Sequence, residues 1–167
     1  MEGNTISRYI SEMLASKPRM KQKFQHQGSE QDHLFEADYD HNGSGIGCET
    51  CDEGRLLIRE PRDTIDPVIH YGLIGSANQV MRHGATREKL RKEKGILCFE
   101  MEAAGLMDNF PCLVIRGICD YSDTHKNKRW QPYAAAAAAA YAKELLELIT
   151  VTNVAKTQEA TEMMKVG

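Results

Sequence analysis

The chain has 167 residues, 41% hydrophobic and 27% charged, with five cysteines, a formal net charge of −3 and a pI of about 6.1. This is the balance of one ordinary globular domain, without a global basic field for nucleic acid or an anionic membrane surface. No run approaches the roughly 18 apolar residues of a transmembrane helix, the N-terminal MEGNTISRYISEM lacks a secretory h-region, and the odd cysteine count argues against a closed disulfide framework, so reduced thiols in the cytoplasm or nucleus are expected.

Residues 4–17 predict a helix: Asn4 or Thr5 can cap it, Ile6, Tyr9, Ile10, Met13 and Leu14 share one face, and Pro18 stops it. Residues 18–66 are polar and glycine-broken, with turn material in NGSGIG at 42–47 and a short edge strand expected at 55–59 before Pro61. HYGLIGSA at 70–77 reads as a buried strand running into a loop. A helix over 78–94 follows, with Val80, Met81 and Leu90 as apolar contacts and a basic outer face that reads as solvated, and Gly95 ends it. A strand at 96–99, a short helix at 102–109, a buried strand at 112–118 (CLVIRGI) and a long helix at 130–148 with seven consecutive alanines complete the pattern. Strands alternating with helices predict an α/β fold with a largely parallel sheet. Only three or four strands can be counted, too few to cover their own edges, which suggests part of a larger domain. Residues 150–167 read as a polar C-terminal tail after a domain at 1–149.

Two segments hold carboxylates placed where they could carry chemistry. In CFEMEAAG at 98–105, Glu100 and Glu102 flank Met101 at a strand-to-helix junction. Ligands of open α/β sheets sit beyond the carboxyl ends of strands, where a carboxylate can accept two hydrogen bonds from a vicinal diol such as ribose. The competing reading is that these glutamates cap the following helix. In CLVIRGICDYSD at 112–123, Asp120 ends an apolar run, and burial there would raise its pKa and suit it to general-acid work. A turn cap is the plainer alternative. The small residues of GLIGSANQVM at 72–81 allow close backbone approach to a ligand or a tight strand–helix junction. NGSGIG lacks the following Lys-Ser/Thr of a phosphate-binding P-loop.

Cys48 and Cys51 form a C-x-x-C with His26, His33 and His41 upstream, a donor set able to hold zinc tetrahedrally. A second paired half-site is absent from the sequence, and Cys98, Cys112 and Cys119 sit in apolar runs, so the expectation is no metal, with Cys48 and Cys51 as the minor alternative.

Taken in order, GLIGSANQVM, FEMEAAG, RGICDYSD and the YAAAAAAAYAKELL helix resemble the superfamily of purine nucleoside phosphorylases, uridine phosphorylases and methylthioadenosine/S-adenosylhomocysteine nucleosidases. The resemblance is strongest to the eukaryotic branch fused to NACHT or ankyrin-repeat regions. It spans most of 1–149 but only the C-terminal half of the family domain, which implies half of a phosphorylase/hydrolase-like three-layer α/β/α sandwich. It also implies residue roles. Asp120 falls on the catalytic acid at purine N7, Glu102 on the glutamate gripping the ribose hydroxyls, and Met101 on the methionine against the sugar. Val80 and Met81 fall where residues line the base pocket, with Ser76 at the strand end behind it. Ala77 stands where glycine is usual, and Cys119 where serine is common.

The implied function is cleavage of the N-glycosidic bond of a purine nucleoside or nucleotide, by phosphorolysis or hydrolysis. No organic cofactor is implied, and phosphate is a candidate co-substrate. The missing half would supply the phosphate-binding arginine or the water-activating glutamate, so the chain by itself is expected to be nearly inactive and inclined to self-associate, a homodimer being one such state. The alternative is a non-catalytic nucleoside-binding or interaction module of a signalling protein.

Overall fold

A computed structural model describes residues 5–41, 47–110 and 112–149. Most of the turn expected at 42–47 and the tail at 150–167 lie outside the described residues. The fold is mixed helix and strand, and its ordered core is built on two helices far apart in sequence. Helix α1 (Thr5–Ser16) buries Ile6, Tyr9 and Ile10. Helix α5 (Gln131–Leu148) opposes it with Ala136 and Ala140, and Met13, Leu14, Phe24, Tyr133, Ala137 and Tyr141 pack around this cluster. The small alanines leave room for the larger side chains of α1, so neither helix needs a wide apolar face. The Tyr9 hydroxyl donates to the Glu147 carboxylate and ties the middle of α1 to the C-terminal end of α5. A short helix α2 (Lys21–Phe24) follows a single 3-10 turn at Pro18–Met20 and brings Phe24 to the same cluster.

The sheet has two parallel strands, β1 (Leu73–Ser76) and β2 (Ile96–Glu100), paired Leu73 to Ile96, Ile74 to Cys98, Gly75 to Phe99 and Ser76 to Glu100, with one irregularity after Leu73. Helix α3 (Gly84–Lys94) makes the crossover between them. It starts six residues later than the pattern at 78–94 predicts. Its first turn is fixed by the His83 ring, whose Nδ1 accepts from the Thr86 N–H at 3.2 Å, and by Gly84, where a Cβ would come within 2.4 Å of the Ala37 carbonyl oxygen. Gly95 ends α3 in the left-handed conformation, at φ 69°. Helix α4 (Ala103–Met107) leaves β2 directly.

Two strand expectations are corrected. Residues 55–59 form no edge strand: they contribute one antiparallel bridge, Phe35 to Leu56, after which Ile58 is 98% exposed. Residues 112–118 form no strand either, so the sheet expected to join them to 70–77 does not exist among the described residues. The apolar run CLVIRGI has the side chains of a buried strand, but a strand also needs a ladder of backbone partners. Here Leu113 is 75% exposed and Ile118 also faces solvent. At Gly117 the segment presses on the start of α5 so closely that a Cβ would lie 1.9 Å from the Ala134 carbonyl oxygen.

Candidate functional site

The junction from β2 to α4 is organised by Glu100, the last residue of its strand. Its Oε2 accepts from the backbone N–H groups of Glu102 and Ala103, both at 2.8 Å. Burial alone would raise its pKa, but the Ser76 hydroxyl, these two N–H groups and the charge of Arg116 outweigh burial and hold it below the ordinary glutamate range. The two glutamates of FEMEAAG therefore divide the readings made of them. Glu100 satisfies orphan donors at the start of α4, while Glu102 is exposed and pairs with Arg116 at 3.1 Å. Ser76 reinforces the same junction, its Oγ accepting from the Ala104 N–H at 3.1 Å.

Beyond this junction lies a pocket of about 260 Å³. Its lining includes Val80, Met81, Met101, Glu102, Asp120 and Lys126. Five of the six residues singled out from sequence thus share one pocket. Ser76 does not line it and lies behind it, at the strand end. Asp120 reaches the wall without a strand leading to it, since 112–118 is not one. Its side chain is 17% exposed. Oδ1 accepts from the Ser122 N–H at 2.9 Å, the turn-forming role that aspartate often takes, and both oxygens accept from the Lys126 ammonium at 3.0 Å. As arranged, Lys126 is the donor on this wall and Asp120 the acceptor. Cys119 lies beside Asp120, and burial first, then the Asp120 charge, pushes its thiol pKa up.

The loop carrying Asp120 is held from several sides. Ser122 sits at φ 54°, a left-handed conformation that costs a non-glycine residue energy and persists only when its surroundings fix it. Arg87 donates to the Tyr121 carbonyl at 2.6 Å and pairs with buried Asp123 at 3.4 Å. The Tyr121 hydroxyl donates to Asp32 at 2.6 Å and accepts from Arg59 at 2.6 Å, and burial, then Asp32, pushes its pKa up to about 12. Thr124 accepts from the His41 N–H at 2.8 Å.

The sequence reading missed Lys126 and Arg116. An arginine inside the apolar run CLVIRGI is a signal that could have been followed, because a charge in a run expected to be buried calls for a carboxylate partner, and Arg116 does pair with Glu102 although the segment proves mostly exposed. Nothing in local spacing marks Lys126. Of the three histidines upstream of Cys48 and Cys51, the structure brings only His41 to them. His26 packs edge-on against Trp130 and Tyr133, and His33 is exposed beside Phe35. Burial, the Cys51 thiol and the charges of Asp123 and Glu49 push the Cys48 pKa up to about 12.

A nucleotide-binding leucine-rich repeat (NLR)-like protein of Hyaloscypha variabilis is 44% identical to this chain over 149 residues. The alignment covers 89% of this chain and 14% of that protein, so the chain corresponds to a small part of a much longer relative. No protein-family model and no solved structure matches. No helix among the described residues is long and apolar enough to cross a membrane.

Proposed function

We propose that this chain is a nucleoside-recognising module of a larger NLR-like signalling protein, working in the cytoplasm or nucleus and binding a purine nucleoside or nucleotide. The observation that supports this is the convergence of Val80, Met81, Met101, Glu102 and Asp120 on one pocket, in a chain that aligns with a short part of an NLR-like protein. Glu102, oriented by Arg116, can accept two hydrogen bonds from a ribose diol. Met101, Val80 and Met81 offer an apolar, polarisable face for sugar and base. Asp120 and Lys126 place an acceptor and a donor side by side for the polar edge of a purine. The pocket is smaller than common ligand clefts of about 300–1,000 Å³, and Val80 and Met101, which line it, are exposed. Binding by the chain alone is therefore weak, and enclosure must come from a further domain, of which the N-terminal half of an α/β/α sandwich is the form suggested by the sequence resemblance.

Calorimetric titration of the full chain with adenosine, inosine and methylthioadenosine tests the reading. Binding of at least one of them, weakened tenfold or more in Glu102→Ala, is the expected result. No heat from any nucleoside up to millimolar concentration refutes it.

Catalysis is a second reading, favoured by the position of Asp120 on the pocket wall. N-glycosidic cleavage leaves negative charge on the departing purine, and a donor at N7 is typically worth about 10²–10⁴-fold. The Asp120–Lys126 pair would deliver that hydrogen bond, and phosphate or water would attack the anomeric carbon. Base release measured with and without phosphate decides it. Turnover by the chain that is unchanged in both Asp120→Asn and Lys126→Met removes the pair from the mechanism.

A further inference from the structure

One ligand atom from each of His41, Cys48 and Cys51 lies within 4.8 Å of the others. Donor atoms around a tetrahedral zinc are about 3.3–3.8 Å apart, so a contraction of about 1 Å would bring these three to bonding distance. Three donors do not close a structural site, and the C-x-x-C motif supplies no fourth. A candidate fourth donor, outside that cluster of three, is His125, which lies beside His41. His125 has a side chain only 1% exposed, yet neither ring nitrogen has a hydrogen-bond partner. A buried imidazole left this way costs free energy unless something else satisfies it. Its ring lies 5.6 Å from that of His41, inclined at 75°. Two imidazoles on one tetrahedral zinc have centroids about 5 Å apart, which this pair nearly meets.

We propose that His41, Cys48, Cys51 and His125 form a structural Zn²⁺ site of the Cys₂His₂ type. The groups around the two imidazoles are those that zinc-bound histidines use. His41 Nε2 is 2.9 Å from the Gly47 carbonyl oxygen, which takes its N–H and leaves Nδ1 for the metal. His125 Nδ1 is 4.0 Å from Asp123 Oδ1, too far for a hydrogen bond as the ring stands, but a shift of about 1 Å would let the carboxylate accept from Nδ1–H and leave Nε2 as ligand. Phe35 and Tyr39 stack on His125 and wall off that side from water. Binding Zn²⁺ releases one proton from each cysteine thiol to solvent, and the two thiolates neutralise the ion. The site is a clip. It fastens His41, Cys48 and Cys51 to the loop that carries Asp120 and Lys126, beside the hydrogen bond from His41 N–H to Thr124. It does not depend on what the pocket binds.

The test is metal content of the full chain, purified under reducing conditions without chelator, followed by cobalt replacement. One equivalent of zinc is expected, and the cobalt form should show thiolate-to-cobalt charge transfer and the intense visible bands of tetrahedral cobalt. Cys48→Ser and Cys51→Ser should lose the stoichiometric metal, while Cys112→Ser and His33→Ala keep it. His125→Asn should weaken zinc binding tenfold or more and alter the cobalt spectrum. Wild-type chain that carries no zinc and gives only octahedral cobalt overturns the site, a result that needs no variant to fold. Full zinc retention in Cys48→Ser and Cys51→Ser overturns it equally. An unchanged cobalt spectrum in His125→Asn overturns the four-residue assignment.

Discussion

The α1–α5 pair and the sheet end of the molecule are built from similarly apolar sequence and end in opposite states. In the helical pair, Ile6, Tyr9 and Ile10 lie buried against Ala136 and Ala140. At the sheet end, Leu73, Leu97, Leu106, Met107, Leu113 and Ile118 face solvent. The difference lies in partners. Two helices satisfy their own backbone groups and need only one apolar face each to make a core. A two-stranded sheet satisfies half of each strand's backbone and shields neither face, so it depends on further layers. Stability therefore concentrates in the helices, and the pocket sits where the molecule is least enclosed.

The largest effect that would test this contrast is at Ile6, 2% exposed. Ile6→Ala should cost about 2–5 kcal/mol in urea unfolding. A loss under about 1 kcal/mol would mean that α1 is not docked as described. Next is Gly117→Ala, at the seam between the two regions. Its Cβ would meet the Ala134 carbonyl, so about 1–3 kcal/mol should be lost, and the pocket wall should shift with it. A neutral Gly117→Ala would show that the seam gives way easily.

Glu100 comes third, because it joins sheet to helix. Glu100→Ala leaves the N–H groups of Glu102 and Ala103 without their acceptor and should cost about 1–2 kcal/mol. The pH dependence has a definite sign. The folded-state pKa lies below the unfolded one, so the stabilisation is complete above the ordinary glutamate range and is lost as pH falls through the lower folded value. Glu100→Gln should therefore be less stable than wild type at neutral pH and converge with it in acid. Parallel stability curves would contradict the linkage. The smallest effect is expected at Leu113. Leu113→Ser should leave stability within about 0.5 kcal/mol while reducing self-association in light scattering, since it removes exposed apolar surface and no core contact.

What the sequence reveals follows the same division. Helices α1 and α5 are legible to within a residue or so, because a 3.6-residue apolar period, Pro18 and the alanine run are all local signals. The segment at 112–118 is misread because apolar character reports burial propensity, whereas strandhood depends on a neighbour elsewhere in the chain. The late start of α3 rests on a histidine ring and on the approach of Gly84 to Ala37, neither of them a common capping signal. In the pocket, Met101, Glu102 and Asp120 are marked by their motifs, but their partners Arg116 and Lys126 are set by loop geometry. His125 illustrates the limit best. No spacing rule connects it to Cys48 and Cys51, and only the folding of two distant loops brings it beside His41.

The separation of α1 from α5 has a consequence for synthesis. Roughly 130 residues lie between the end of α1 and the end of α5. At about 5–20 residues per second, a ribosome needs on the order of ten seconds to produce them. For that interval Ile6, Tyr9 and Ile10 have no α5 to pack on, and a twelve-residue helix is marginal in water on its own. Helix α1 thus waits for α5 before this core can close, and the nascent chain carries an apolar stripe that a chaperone or a second copy can reach.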